Sequence, residues 1–231
     1  RSDIQYAIKE LGKDLSTPTS HSMIKAKRVA RYLKGAPRAI IKFDYQEKPA
    51  GIIAWSDSDF AGCERTRKST SAGVIMHGNH LIKSWSINQS VIALSSGEAE
   101  YYGLVKAMSI AMGIISLCDD LGVTFDKPIE VKTDASAAIG IASRIGLGKI
   151  RHIEVNQLWL QEKVRSGKVI ITKVDTSCNL ADALTKGVDA SIISKHLAGV
   201  GMIIRTDRHR LAPKVDEDPV SLGQEEEDAH A

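Results

Sequence analysis

The sequence predicts an α/β protein: a mixed five-stranded sheet, three antiparallel strands followed by two parallel ones, flanked by helices. Three observations predict it. Apolar, β-rich runs at 51–58, 71–76 and 81–87 are joined by links too short for a crossover helix, so these strands pair antiparallel. Two further short runs, 129–133 and 169–174, each follow helical stretches, as strands laid parallel in one sheet do. A 231-residue chain with 43% hydrophobic residues can bury one core, and no run approaches the roughly 18 apolar residues of a membrane span.

The elements follow in order. Residues 3–15 read as a short helix with Ile4, Ala7, Ile8 and Leu11 on one side, stopped at Ser16-Thr17-Pro18. Ser20 is placed to cap a second helix over 21–34, closed by Gly35. The alternation from Arg38 to Tyr45 predicts a strand, and 46–50 a turn. Strand 51–58 comes next, then a polar, basic connection from Cys63 to Thr70, then a hairpin turning at His77-Gly78-Asn79. Ser95 or Ser96 caps the longest helix, about 97–121, which Gly122 closes. Strand 129–133 leads to a helix over 134–143, a loop at 146–148, a helix over 152–165 and strand 169–174. A helix capped by Asp175 or Thr176 reaches about Lys186, and another spans 189–198. Beyond Arg205 apolar residues are few and Gln224-Glu225-Glu226-Glu227-Asp228 follows, so 205–231 is expected to be a disordered acidic tail.

Charge is uneven. The net is +3, yet residues 1–38 hold nine basic against three acidic side chains, while residues 205–231 hold four against eight. A basic region of this kind suits a polyanion or a solvated helix face equally well. Three dispersed cysteines, Cys63, Cys118 and Cys178, argue against a disulfide framework and for a reducing compartment. No histidine pairs with a cysteine at zinc-site spacing, and a secretion signal is not expected of the polar first residues, which lack an apolar run.

Four stretches bring acids to element ends: Trp55-Ser56-Asp57-Ser58-Asp59, Gly97-Glu98-Ala99-Glu100, Lys132-Thr133-Asp134 and Leu180-Ala181-Asp182. Carboxylates at the ends of buried elements are costly unless a cation balances them, and converging acids repel. Divalent ions with oxygen ligands balance them, and two such ions can clamp the attacking and leaving oxygens of a phosphodiester. Strand alternation puts Asp57 and Asp59 on one side and does not choose between them. Helix periodicity favours Glu100, which shares a stripe with Leu104, Met108, Ala111 and Ile115, over Glu98. Taken alone, Asp134 reads first as a helix cap, Asp182 equally as a surface or a placed residue, and Asp175 as a cap.

In combination these stretches are identified by resemblance. Ser56-Asp57-Ser58-Asp59-Phe60-Ala61-Gly62, Arg65-Thr66-Arg67-Lys68-Ser69-Thr70-Ser71-Ala72-Gly73, Ala93-Leu94-Ser95-Ser96-Gly97-Glu98-Ala99-Glu100-Tyr101, Thr133-Asp134-Ala135-Ser136-Ala137-Ala138, Arg151-His152-Ile153-Glu154-Val155 and Asn179-Leu180-Ala181-Asp182-Ala183-Leu184-Thr185-Lys186 resemble the ribonuclease H domain of copia-type LTR retrotransposon Pol polyproteins. The stretch Ala26-Lys27-Arg28-Val29-Ala30-Arg31-Tyr32-Leu33-Lys34-Gly35, with Asp3 to Ala7 and Pro18-Thr19, resembles the segment that trails their reverse transcriptase. The resemblance implies residues 1–38 as that helical trailing segment and 39–204 as a ribonuclease H-like domain; the tail, 205–231, is set apart by its composition alone. It also implies cleavage of the RNA strand of an RNA–DNA hybrid, two Mg²⁺ or Mn²⁺ ions, and Asp57, Glu100, Asp134 and Asp182 as ligands and catalytic acids. The implied partners are the hybrid and the reverse transcriptase portion, with no membrane, and the implied setting is intracellular, in a virus-like particle or the nucleus.

Arg65, Arg67, Lys68 and Ser69 lie just past the first acid and are candidate phosphate contacts, with a solvated turn as the equal alternative. Two departures from the family pattern stand out. No histidine occurs between Lys173 and Asn179, and Ile87-Asn88 stands where relatives usually carry a basic residue. The alternatives are an inactive relic or nucleic-acid-binding module of the same fold, and an integrase- or exonuclease-like nuclease.

Overall fold

The computed structural model describes residues 1–148, 153 and 158–211. Most of the predicted acidic tail, and all but Ile153 of the Arg151–Val155 motif, lie outside the described residues. The central strand is β2 (Ile53–Ser58), which follows β1 (Arg38–Ile41). β3 (Thr70–His77) and β4 (His80–Asn88) form a hairpin whose turn has Gly78 at φ +59°, the left-handed conformation that tight hairpin turns need. On its other edge β2 runs parallel to β5 (Ile129–Thr133), and β5 parallel to β6 (Val169–Lys173). The order β4-β3-β2-β5-β6, with the first three antiparallel, is the mixed five-stranded sheet that the spacing predicts, in the ribonuclease H-like arrangement.

The long helix α3 (Ser96–Asp120) covers one face. Of the two serines able to start it, Ser95 does so: its Oγ accepts the Glu98 amide at 3.2 Å. By length and composition α3 could cross a membrane, but its apolar stripe lies on the sheet. Tyr101, Leu104 and Met108 are fully buried against Ala54, Val131 and Ile75. The packing is close at Gly103, where a Cβ would sit 3.1 Å from Ser56 Oγ and 3.6 Å from the Asp57 carbonyl. That approach brings the turn before Gly103, with Glu100, to the C-terminal end of β2. α4 (Ser136–Ser143) and α5 (Trp159–Arg165) complete this layer. Leu104→Ala is expected to cost about 2–5 kcal/mol of unfolding free energy, read by urea denaturation, because it opens a cavity beneath the site.

The opposite face packs on a second cluster, in which Val74, Met76, Leu184, Leu197, Val200 and Met202 are buried. Here α6 (Ala190–Gly199) is followed by β7 (Met202–Arg205), which pairs antiparallel with β1 from Arg38↔Arg205 to Ile41↔Met202. The strand at 38–45 is therefore shorter than its alternation predicts, and β7 has no counterpart among the elements predicted from sequence. The 175–186 segment also departs from the predicted helix, forming two 3₁₀ turns, Thr176–Cys178 and Asp182–Leu184. Asn179 between them explains the break. Its Oδ1 accepts the Ala181 amide at 3.1 Å, a local bond that competes with helical pairing, and its Nδ2 donates to the Ser56 carbonyl at 3.0 Å.

At the N-terminus, α1 (Gln5–Gly12) lies along β4, with Gln5 Nε2 donating to the Ser84 carbonyl and hydroxyl at 3.1 and 2.9 Å. α2 (Ser20–Gly35) runs back toward the start of α1, where Tyr32 Oη donates to Asp3 Oδ2 at 2.8 Å. Thr19, one residue before the predicted cap, starts α2 in a reciprocal box with Ser22.

Candidate active site

Strand β2 ends at the heart of the site. Asp57 is 6% exposed, and Thr185 Oγ1 donates to its Oδ2 at 2.7 Å. Glu100 comes from the second turn of α3. Asp134 follows β5, which runs parallel to β2, so the two strands deliver their acids to the same end of the sheet. Carboxylate oxygens of Asp57, Glu100 and Asp134 all lie within 4.8 Å of one another. One Glu100 oxygen, Oε2, is buried without a hydrogen-bond partner among the described residues.

The electrostatics follow from that crowding. Burial pushes the Glu100 carboxyl up to about 9, helped by the charges of Asp57 and Asp134 and opposed by the Ser58 amide. Burial also pushes Asp57 up to about 6, against the Thr185 hydrogen bond and with the charges of Asp182 and Asp134 adding to the rise. Protons relieve such crowding, and so does a cation. Three oxygen donors this close, one of them orphaned, fit a hard divalent cation, which takes carboxylate oxygens readily.

The neighbouring acids have other work. Asp59 turns away from the group, and its Oδ1 accepts the Thr70 amide at 2.6 Å, bracing the β2–β3 connection. Glu98 is buried at the start of α3, where it accepts from the Leu94 amide at 3.0 Å and from Tyr102 Oη at 3.0 Å. Asp134 does not cap α4, whose N-cap is Ala135; its Oδ2 instead accepts from Thr176 Oγ1 at 2.5 Å. Asp175 does act as a cap, accepting the Ser177 amide at 2.8 Å. Asp182 stands outside the three-acid group with its Oδ1 on Lys186 Nζ at 2.8 Å, yet close enough for its charge to act on Asp57.

The candidate phosphate contacts separate in the same way. Ser69 is fully buried and its Oγ accepts the Ala61 amide at 3.0 Å, so it holds the loop's shape. Arg65 reaches back to Asp14 Oδ1 at 3.3 Å and the Lys13 carbonyl at 2.9 Å. Arg67, at φ +56°, is exposed, and Lys68 is half-buried. Sequence reasoning does not single out Thr185 or Asn179, and takes Thr176 only as a possible helix cap. The Asn179–Lys186 motif contains two of them, but only the fold reveals that Thr185 meets Asp57, 128 residues away.

No family model matches the chain. It is 30% identical over 203 residues, 87% of its length, to the retrovirus-related Pol polyprotein from transposon RE1 of Arabidopsis thaliana. It is also 30% identical over 204 residues, 88% of its length, to the corresponding polyprotein from transposon RE2 of the same plant. The chain spans 14% of the length of each. Among solved structures, LC11-RNase H1, isolated from compost by a metagenomic approach, overlays 64% of this chain and 99% of its own at 17% identity and a TM-score of 0.41. Strand order and direction, β4-β3-β2-β5-β6 with the first three antiparallel and the last two parallel to β2, define the fold. Over most of its own length the chain is a homologue of the retrovirus-related Pol polyproteins of transposons, and its five-stranded sheet has the ribonuclease H arrangement.

Proposed function

We propose that this chain is a metal-dependent endonuclease that cuts the RNA strand of RNA–DNA hybrids as one part of a retrotransposon Pol polyprotein. The observation that carries the reading is the convergence of Asp57, Glu100 and Asp134 at one sheet edge. Homology to Pol polyproteins supports a nucleic-acid substrate and a reverse transcriptase portion as partner. In this reading Asp57, Glu100 and Asp134 would hold the cations, and Asp182, which pairs with Lys186, would be the fourth acid of the set. Two Mg²⁺ or Mn²⁺ ions would supply the positive charge that an attacking water and a departing 3′-oxygen require. Arg67, exposed, and Lys68, half-buried, follow the first acid in the chain and would meet backbone phosphates in this reading.

Thr185 is a positioning residue in this scheme. Its hydroxyl fixes the orientation of Asp57 and favours its charged form. Partners of metal ligands commonly account for 10–100-fold in metal affinity. Thr185→Val is therefore expected to raise the Mg²⁺ concentration for half-maximal cleavage about 10–100-fold, and Thr185→Ser to restore it. An unchanged Mg²⁺ requirement in the Val variant contradicts the role.

One observation favours the inactive alternative: the Asp182–Lys186 ion pair, which leaves the fourth acid already neutralised. A labelled RNA–DNA hybrid incubated with Mg²⁺ decides. The proposal expects cleavage of the RNA strand alone, lost on adding EDTA and lost in Asp57→Asn. Binding without cleavage means a relic or binding module, and equal cleavage of duplex DNA means a different nuclease of this fold.

A further inference from the structure

Helix α2 has no function in the site described above, and its surface is unusual. Over Ser20–Gly35 it carries five lysines and arginines and no acid. Lys27, Arg28, Arg31 and Lys34 are exposed, and none of them makes an ion pair among the described residues. At spacings of three and four residues they share one face. Four like charges so close repel, and the helix gains no stability from them. By contrast, other cations of the N-terminal segment are neutralised locally: Lys9 and Lys13 by Glu10, Arg1 by Asp3.

The helix is also held firmly, and at a particular end of the molecule. Its first turn is fixed by the Thr19–Ser22 box, and Ser22 Oγ donates to Asp14 Oδ2 at 3.0 Å. Asp14 in turn accepts from Arg65, in the connection that leaves β2 beside Asp57. Lys9 on α1 donates to Thr70 Oγ1 at 2.8 Å, at the start of β3 and the same end of the sheet. Near its C-terminus, Tyr32 Oη donates to Asp3 Oδ2 at 2.8 Å, so the remaining face is turned outward. The α1–α2 corner is thus fastened to the edge where the acids converge.

We propose that the exposed face of α2 is a phosphate-backbone contact for the nucleic acid that occupies the acidic site. A row of unpaired cations on a rigid helix about 24 Å long matches the charge of several successive phosphates. The acids themselves repel a polyanion, and α2, fastened at that end by its first turn and running back along α1 to Asp3, supplies attraction farther along the same molecule. The contact is with phosphates, so it carries no sequence preference. This proposal rests on the reading of the acidic site as a nucleic-acid site, and the choice of probe on the hybrid-cleaving reading.

The test measures binding of an RNA–DNA hybrid of about 24 base pairs, long enough to reach both α2 and the acids, in EDTA, where cleavage is off, across a range of salt concentrations. The full chain is compared with a variant carrying Lys27→Gln, Arg28→Gln, Arg31→Gln and Lys34→Gln, and with Lys168→Gln at the opposite end of the sheet. The proposal expects the four-site variant to bind about tenfold or more weakly and its log K against log salt slope to shrink by about 3–4, near one for each phosphate no longer neutralised. Lys168→Gln should leave both unchanged. Equal melting temperatures exclude misfolding; if the four-site variant melts early, Arg28→Gln and Arg31→Gln singly should each reduce the slope by about 1. An unchanged slope in the α2 variants overturns the proposal and leaves α2 as a face for another protein. Absence of cleavage by the wild-type chain in Mg²⁺ would refute the nuclease reading alone, since binding is read separately.

Discussion

Glu100→Gln is expected to abolish Mg²⁺-dependent cleavage and, in the same protein without metal, to raise the melting temperature at pH 8. The two effects have one cause. A cluster of buried carboxylates is a cation site when metal is present and a source of repulsion when it is absent. Loss of one ligand should reduce cleavage about 10³-fold or more, equivalent to roughly 4 kcal/mol of transition-state stabilisation. The amide keeps the shape of Glu100 and removes a carboxyl that burial and neighbouring charge hold near 9. Keeping that carboxyl protonated at pH 8 costs on the order of a few kcal/mol of stability, and a chain of this size gains about 2–4 °C in melting temperature for each kcal/mol. Glu98→Gln should behave differently. Its carboxylate oxygens face the Leu94 amide and Tyr102 rather than the acid group, so cleavage should stay close to wild type while the melting temperature falls. Equal loss of cleavage in both variants would show that the wrong face of α3 carries the chemistry.

The second large effect is the pH dependence of stability and its reversal by metal. Glu100 titrates near 4.5 when unfolded and near 9 when folded, and Asp57 near 3.8 and near 6. Between those limits the folded state keeps protons that the unfolded state has released. Stability from these groups is therefore complete below about pH 4 and declines as pH rises, through about 6 for Asp57 and about 9 for Glu100. A divalent ion binds the deprotonated ligands, so its stabilisation grows over the same interval. At 100 times its dissociation constant an ion adds about 2.7 kcal/mol. Melting curves at pH 5.5, 7 and 8.5 should thus fall with pH in EDTA and flatten or rise in Mg²⁺. Parallel curves with and without metal would mean that the acids do not share an ion.

Much of this is legible in the residues because its signals are local. Short links fix the β2–β3–β4 meander, and the Leu104-Met108-Ala111 stripe identifies the covered face of α3 and hence Glu100. Where alternation is silent, between Asp57 and Asp59, the decision comes from the chain's turn after β2, which sends Asp59 to the Thr70 amide. The misses are non-local. β7 is four residues long and exists because β1, more than 160 residues earlier, offers it an edge. The predicted helix over 175–186 yields to Asn179, whose side chain finds a better partner in Ser56 of β2 than a helix could provide. Thr185 reads as an ordinary polar residue until the fold sets it against Asp57.

The account stands on three carboxylates sharing divalent ions, and the most direct measurement is anomalous diffraction from crystals of the chain soaked in Mn²⁺. It predicts density between Asp57, Glu100 and Asp134, with oxygens at about 2.1 Å as six-coordinate ions of this kind prefer, and none there in Glu100→Gln. Clear Mn²⁺ density elsewhere, with the three acids still protonated and turned toward one another, would contradict it.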